Sequence, residues 1–206
     1  MIEFSSPQGR KLFREALDAG YMEGFFPLIE QFHMQSEPAF CGPGCLVMVL
    51  NALALDPKRL WKNPWRWFTE DAFSCCVPLD DILKRGMLME EFADVAQKNG
   101  ADVRMVRANE CSIDQFRNDL EEATKTGTVH MALNFSRKHL QQTGDGHYST
   151  VGGLHPSEDL ALILDTSRFK YPPWWAPVSA LWESMEQVDT FTNLPRGYFM
   201  LGAVSK

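Results

Sequence analysis

Residues 35–55 read QSEPAFCGPGCLVMVLNALAL, and this stretch decides the fold. From 42 to 54 it is apolar on nearly every face, the pattern of a helix buried all round rather than one lying half in solvent. Pro43 fits only a first turn, where its missing N–H is no loss, so the helix is expected to start near Cys41 and to sit at the centre of the fold. Cys41 then stands at a helix N-terminus, where free N–H groups and the positive end of the helix dipole favour a thiolate. A small buried packing residue is the competing reading of this cysteine taken singly.

Working outward, Leu12, Phe13, Ala16 and Leu17 recur at helical spacing within residues 9–20, and Gly20 is a natural stop. Residues 87–98 and 112–124 read as amphipathic helices on the outside. The first ends at Asn99-Gly100, and the second opens with Ser112-Ile113-Asp114-Gln115, a capping-box pattern. The character then changes. Residues 129–135, 149–154, 160–165 and 198–204 are short, β-prone and separated by Gly, Pro and Asp, as antiparallel strands are. Helices first and strands afterwards predict one α+β domain over residues 1–206, a helical half packed on an antiparallel sheet half with the active-site cleft at the seam.

Two strand residues suit a thiol at that seam. His147 follows the flexible turn Thr143-Gly144-Asp145-Gly146 and opens a strand, where a ring can face a helix N-terminus. Asp165 closes the apolar strand LALILD, and a carboxylate there needs a partner. An imidazole would suit it, with the carboxylate fixing the ring tautomer; a turn-capping role before Thr166 and Ser167 is the alternative. Upstream of Cys41, the Gln35 amide could donate to an oxyanion together with the Cys41 backbone N–H. Gln, Cys, helix, then His and a carboxylate on strands is the papain-like arrangement, recognised by roles rather than by position.

The rest of the composition narrows the class. At 206 residues and 23.4 kDa, with 45% hydrophobic and 23% charged residues, the chain can bury a core without disulfides or a structural metal. Its 20 Lys+Arg against 27 Asp+Glu leave a net charge of -7, which disfavours nucleic acid and anionic membrane surfaces unless a local basic patch overrides it. The apolar run 45–55 is interrupted by Asn51 and too short to cross a bilayer, and MIEFSSPQGRK lacks the apolar stretch of a signal peptide. Five cysteines with no CxxC pair point to a reducing compartment, so a cytoplasmic location is expected.

The stretches QSEPAFCG, VLNALALDPKRLWKNPWRWF, QTGDGHYSTVGG and ALILDTSRFKYPPWW closely resemble the catalytic domain of phytochelatin synthases, and the similarity runs from about Phe4 to Val204. The resemblance implies a papain-like fold and a Cys-His-Asp triad, here Cys41, His147 and Asp165, with Gln35 as oxyanion donor. It implies attack on the Cys-Gly amide of glutathione, release of glycine, a γ-Glu-Cys thioester on Cys41, and transfer to a second glutathione or a growing phytochelatin, in the service of heavy-metal detoxification. No prosthetic group is implied. Cadmium, zinc or copper would activate by arriving as glutathione thiolate complexes. Arg137, Arg168, Lys170 and Tyr171 flank the two active-site strands and become candidates for gripping glutathione carboxylates; Gly146 joins them, and Glu37 could read the γ-glutamyl amino group or order its own loop. Self-association into a homodimer is left open.

Four features depart from that pattern or sit beside it. Cys45 stands one helical turn from Cys41 and reads as a packing thiol, with a disulfide or bridged metal as its alternative. The doublet Cys75-Cys76 invites a metal site, although adjacent strand residues point to opposite faces and one pair is too few ligands for closed zinc coordination. Plant-type members also carry a cysteine-rich C-terminal extension that this sequence does not include, which leaves open a short form or one from which the extension has been removed. The cluster WKNPWRWF is expected to pack between the two halves. Rival readings are a papain-like peptidase or γ-Glu-Cys hydrolase acting on glutathione conjugates, with water as acceptor, and a non-catalytic thiol metal buffer.

Overall fold

A computed structural model describes residues 1–204; Ser205 and Lys206, the end of the expected domain, lie outside the described residues. In chain order the elements are β1 (Ile2–Glu3), α1 (Pro7–Asp18), α2 (Phe25–Glu30), α3 (Cys41–Ala52), a 3-10 helix (Glu70–Cys75), α4 (Leu79–Arg85), α5 (Met89–Lys98), β2 (Ala101–Arg107) and α6 (Ile113–Lys125). There follow β3 (Val129–Ser136), β4 (Gly146–His155), β5 (Leu160–Asp165), β6 (Trp174–Pro177), α7 (Val178–Met185), the short hairpin β7 (Val188–Asp189) and β8 (Leu194–Pro195), and β9 (Gly197–Ala203).

Seven strands form one antiparallel sheet in the order β1-β6-β5-β4-β3-β9-β2. Both faces are covered, so its central strands are apolar on both sides. Leu162 and Leu164 pack with α1, α2, α3 and α5, while Ala161 and Ile163 pack with α6 and α7. That explains why LALILD is continuous rather than alternating. α3 is buried from Cys41 to Asn51, as its composition demands, and it crosses the sheet against β4.

Local signals set most boundaries. α1 begins at Pro7, two residues before the expected start, because Ser6 accepts a hydrogen bond from Gly9 N at 3.0 Å and caps it. Gly20 and Gly100 end α1 and α5 at φ of +79° and +93°, backbone that favours glycine. Ser112 caps α6 through Gln115 N at 3.2 Å, but the Gln115 amide turns to Asp119, so only half of the capping box forms. Gly153 sits where the β4–β5 register shifts and Met22 crosses the strand, leaving no room for a Cβ.

The Trp-rich loop corrects an expectation. Trp61, Trp65 and Trp67 are exposed, and only Phe68 enters the core. Asn63 at φ +49°, Pro64 and a single bridge between Lys62 and Trp65 make this stretch a surface turn, too short of regular structure to lay three indoles against the sheet. Asn51 pins its end, donating to Phe68 O at 3.1 Å and accepting from Phe68 N at 3.2 Å. Among the described residues no helix is long and apolar enough to cross a membrane.

Candidate active site

Cys41 is the first residue of α3, and β4 and β5 bring the other two groups to it. Ser149 pairs with Asp165 across those strands, which places His147 diagonally beside the carboxylate. His147 Nε2 lies 2.8 Å from Asp165 Oδ1. Nε2 therefore carries a proton, and Nδ1 is left for Cys41, with which His147 shares a hydrogen bond.

Burial alone would push the Cys41 thiol up. The positive ring of His147, its hydrogen bond, the Tyr148 backbone N–H and the more distant Arg137 outweigh that and hold it below its ordinary value. For His147, burial opposes charge, but Asp165 and Cys41 raise it above the usual imidazole range. Both shifts favour thiolate and imidazolium. Cys45, one turn deeper, is pushed well up by burial and by the charges of Cys41 and Asp165, so it stays a packing thiol.

Asp165 is fully buried; His147 and Arg137 overcome its desolvation and keep its carboxyl well below the usual carboxylate range. Arg137 Nη2 donates to both of its oxygens at 2.8 and 2.9 Å, Ser167 N to Oδ1 at 2.9 Å, and Trp174 Nε1 to Oδ2 at 3.4 Å. The structure thus corrects the expectation for Arg137: its guanidinium is buried behind the triad, spent on Asp165 and Gln142, with the Tyr171 ring 4.5 Å from its carbon. Tyr171 accepts a hydrogen bond from Thr143 N at 2.7 Å and belongs to the same backing layer. Arg168 and Lys170 are exposed, over the rings of Phe32 and Tyr171, and neither lines the cleft.

Gln35 also differs from expectation. Its amide nitrogen donates to Glu37 O and Pro38 O, both at 2.9 Å, and its oxygen accepts from Thr166 Oγ1 at 3.0 Å and Ser167 Oγ at 2.7 Å. Both amide hydrogens are occupied, ordering the loop before Cys41 and tying it to the end of β5. Glu37 itself is exposed. Beneath that loop, the buried Glu70 carboxylate accepts from Ser36 N at 3.2 Å and lies 3.1 Å from His33 Nε2.

The cleft that reaches Cys41 measures roughly 290 Å³. Its floor and walls include Ala39, Met87, Asn134, Gly146 and Tyr148, with Lys84 and Arg85 on the α4 side and Asp189 and Arg196 on the hairpin side. Arg196 is buried, its Nη1 3.3 Å from both Asn134 Oδ1 and Asp189 Oδ2 and its Nη2 3.7 Å from Asp145 Oδ1. The guanidinium lies where a Cβ on Gly146 would fall. Neither Asp189 nor Arg196 was singled out from the sequence, because only the fold around the β7–β8 hairpin carries them to Gly146. A larger hollow of roughly 500 Å³ lies at the far end of α3, remote from the triad.

The doublet corrects another expectation. Cys75 ends the 3-10 helix rather than lying in a strand, and its sulfur is bonded to that of Cys76 as a disulfide, so the pair as it stands offers no thiolates to a metal. Among the described residues no group of three or more His, Cys, Asp or Glu side chains is placed to hold a metal ion.

The fold resembles the peptidase domain of Streptococcus ComA, a bifunctional ABC transporter involved in a quorum-sensing pathway, with TM-score 0.52, 14% identity, and 84% of this chain and 98% of that one covered. At that identity the likeness speaks for the fold alone, which is papain-like. Sequence relatives are nearer. They include glutathione gamma-glutamylcysteinyltransferase 3 of Lotus japonicus, 44% identical over 205 residues, which are 100% of this chain and 43% of that protein. Glutathione gamma-glutamylcysteinyltransferase 2 of Arabidopsis thaliana is 45% identical over 97% of this chain and 44% of its own length. The Schizosaccharomyces pombe enzyme of that name is 44% identical over 97% of this chain and 48% of its own length. The chain spans less than half the length of these curated relatives. The phytochelatin synthase family profile matches residues 1–198, and this chain belongs to that family.

Proposed function

We propose that this chain is a γ-glutamylcysteinyltransferase that builds phytochelatins from glutathione. The observation that carries this is the buried Cys41–His147–Asp165 array at the head of α3, with His147 Nε2 2.8 Å from Asp165 Oδ1, in a chain whose relatives carry that enzyme name. Cys41 thiolate attacks the Cys-Gly carbonyl, and His147 gives its proton to the departing glycine nitrogen. The Cys41 N–H, free at the first turn of α3, faces the developing oxyanion. Gln35 joins it once an amide hydrogen leaves Glu37 O or Pro38 O. His147 then takes a proton from the acceptor, and the γ-Glu-Cys thioester passes to a second glutathione or a phytochelatin.

Arg196 and Asp189 fit the γ-glutamyl end of the donor, one meeting its α-carboxylate and the other its α-amino group. Gly146 borders the same entrance. Arg168 and Lys170, outside the cleft, are left for carboxylates of the acceptor. Heavy-metal ions enter as substrate, bound by the thiols of glutathione.

The test is incubation with glutathione, with and without cadmium, resolving thiol products by mass. Glycine release with γ-Glu-Cys oligomers supports transfer; γ-Glu-Cys alone means water is the acceptor. S-methyl glutathione, whose thiol cannot bind metal, should yield oligomers after metals are stripped, and strict dependence on restored cadmium would overturn the substrate-borne account.

A further inference from the structure

The Cys75–Cys76 pair takes no part in the transfer described above. Cys75 is exposed at the end of the 3-10 helix, Cys76 is half-buried after it, and their sulfurs form a vicinal disulfide. Among the described residues, only one of the two sulfurs has a cation against it. Arg59 Nη1 lies 3.0 Å from Cys75 Sγ, and Arg59 Nη2 is held 3.3 Å from Asn99 Oδ1. A guanidinium at hydrogen-bond distance stabilises negative charge on sulfur, so Cys75 is the better thiolate of the two and the first to attack.

Beside the pair opens a hollow of roughly 390 Å³ whose lining includes Arg59, Trp61, Lys62, Trp67 and Asp71. Two cations, an indole wall and one carboxylate match a small anionic peptide that carries both carboxylates and an ammonium group. An exposed disulfide with a guanidinium against one sulfur is of the exchangeable kind, not the structural kind.

We propose that Cys75–Cys76 is a reversible thiol–disulfide exchange site whose partner is the glutathione couple. In the oxidising direction the Cys75 thiolate attacks one sulfur of glutathione disulfide. The Cys75–glutathione bond forms, the glutathione S–S bond breaks, and one glutathione leaves as thiolate and takes a proton from water. Cys76 loses its proton and displaces the second glutathione, closing the vicinal disulfide. The pair gives up two electrons and glutathione disulfide gains them as two glutathiones. Two glutathiones reverse the sequence. The choice of glutathione rests on the proposed transferase reading, whereas the exchange is read from thiol state and not from turnover.

The experiment uses the Cys41→Ser chain, which cannot form an acyl-enzyme, equilibrated across buffers from glutathione to glutathione disulfide, quenched, alkylated in denaturant and read by peptide mass. The 75–76 peptide should carry two alkyl groups in glutathione and none, with no adduct, in glutathione disulfide. Adding Cys76→Ser should trap one glutathionyl group on Cys75. Adding Arg59→Met should slow that capture about tenfold, with circular dichroism checking the fold. Two free thiols in every buffer would overturn the proposal. So would oxidation by a cyclic disulfide reagent but not by glutathione disulfide, or capture at Cys76 in a Cys75→Ser chain as fast as at Cys75.

Discussion

Arg137 Nη2 donates to both carboxylate oxygens of Asp165, at 2.8 and 2.9 Å, and shares Oδ1 with His147 Nε2. The triad is therefore four residues deep: a guanidinium holds the carboxylate, the carboxylate holds the ring, and the ring holds the thiolate. Removing one partner of such a buried pair leaves the other uncompensated, so Arg137→Met should cost about 3–5 kcal/mol of stability in urea titrations. Asp165 is held below its unfolded value, so its contribution is present above the ordinary carboxylate range and is lost as pH falls through the folded value. The acid-unfolding midpoint followed by circular dichroism should move up in Arg137→Met, and an unchanged midpoint would separate Arg137 from Asp165.

Cys41 is lowered and His147 raised, and both shifts favour the thiolate–imidazolium pair. Glycine release should follow a bell, falling in acid as Cys41 is protonated and in base as His147 loses its proton. In His147→Ala the burial of Cys41 is opposed only by weaker contacts, and the onset of iodoacetamide alkylation should shift toward or beyond the ordinary thiol range. An onset unchanged from wild type would remove His147 as its partner.

Gln35 orders a loop in the resting enzyme and is proposed to meet an oxyanion only during turnover. Gln35→Ala should slow single-turnover glycine release about 100-fold. Cys41 alkylation, which builds no oxyanion, should stay within a few fold of wild type. Equal loss in both assays would assign Gln35 to loop order alone.

Gly146→Ala places a methyl where the Arg196 guanidinium lies. Displacing a charged donor worth about 1.5–3 kcal/mol should lower kcat/KM for glutathione about 10- to 100-fold, as Arg196→Ala should, with Cys41 alkylation unchanged. A wild-type kcat/KM in both variants would empty the γ-glutamyl site assigned to Arg196 and Asp189.

Asn51→Leu removes both bonds to the Phe68 backbone and leaves a buried N–H and C=O unpaired, at about 1–3 kcal/mol each. The urea midpoint should fall accordingly while the alkylation rate of Cys41 holds. A midpoint within error of wild type would show the Trp loop to be anchored elsewhere.

Some of this was determined by residue order alone. An all-round apolar run with Pro in its first turn has only the core to lie in, so α3 and the position of Cys41 at its head were legible, and so were the strands bearing His147 and Asp165. These are local facts, decided by propensity, capping and hydrophobic period within a dozen residues. β2 and β6 were not legible, because their strand character comes from partners far along the chain: Ala101 pairs with Ala203, and Trp175 with both Ile2 and Leu162. For the same reason Arg137 looked like a substrate grip until the sheet turned it inward onto Asp165, and Arg196 and Asp189 looked like nothing until the hairpin closed over Gly146. Adjacent Cys75 and Cys76 showed the limit from the other side, since whether their sulfurs diverge or meet depends on whether the backbone there is strand or 3-10 helix. Which residues can do chemistry is written in their side chains; which of them share a site depends on contacts between segments far apart in the chain, and only the folded sheet supplies those.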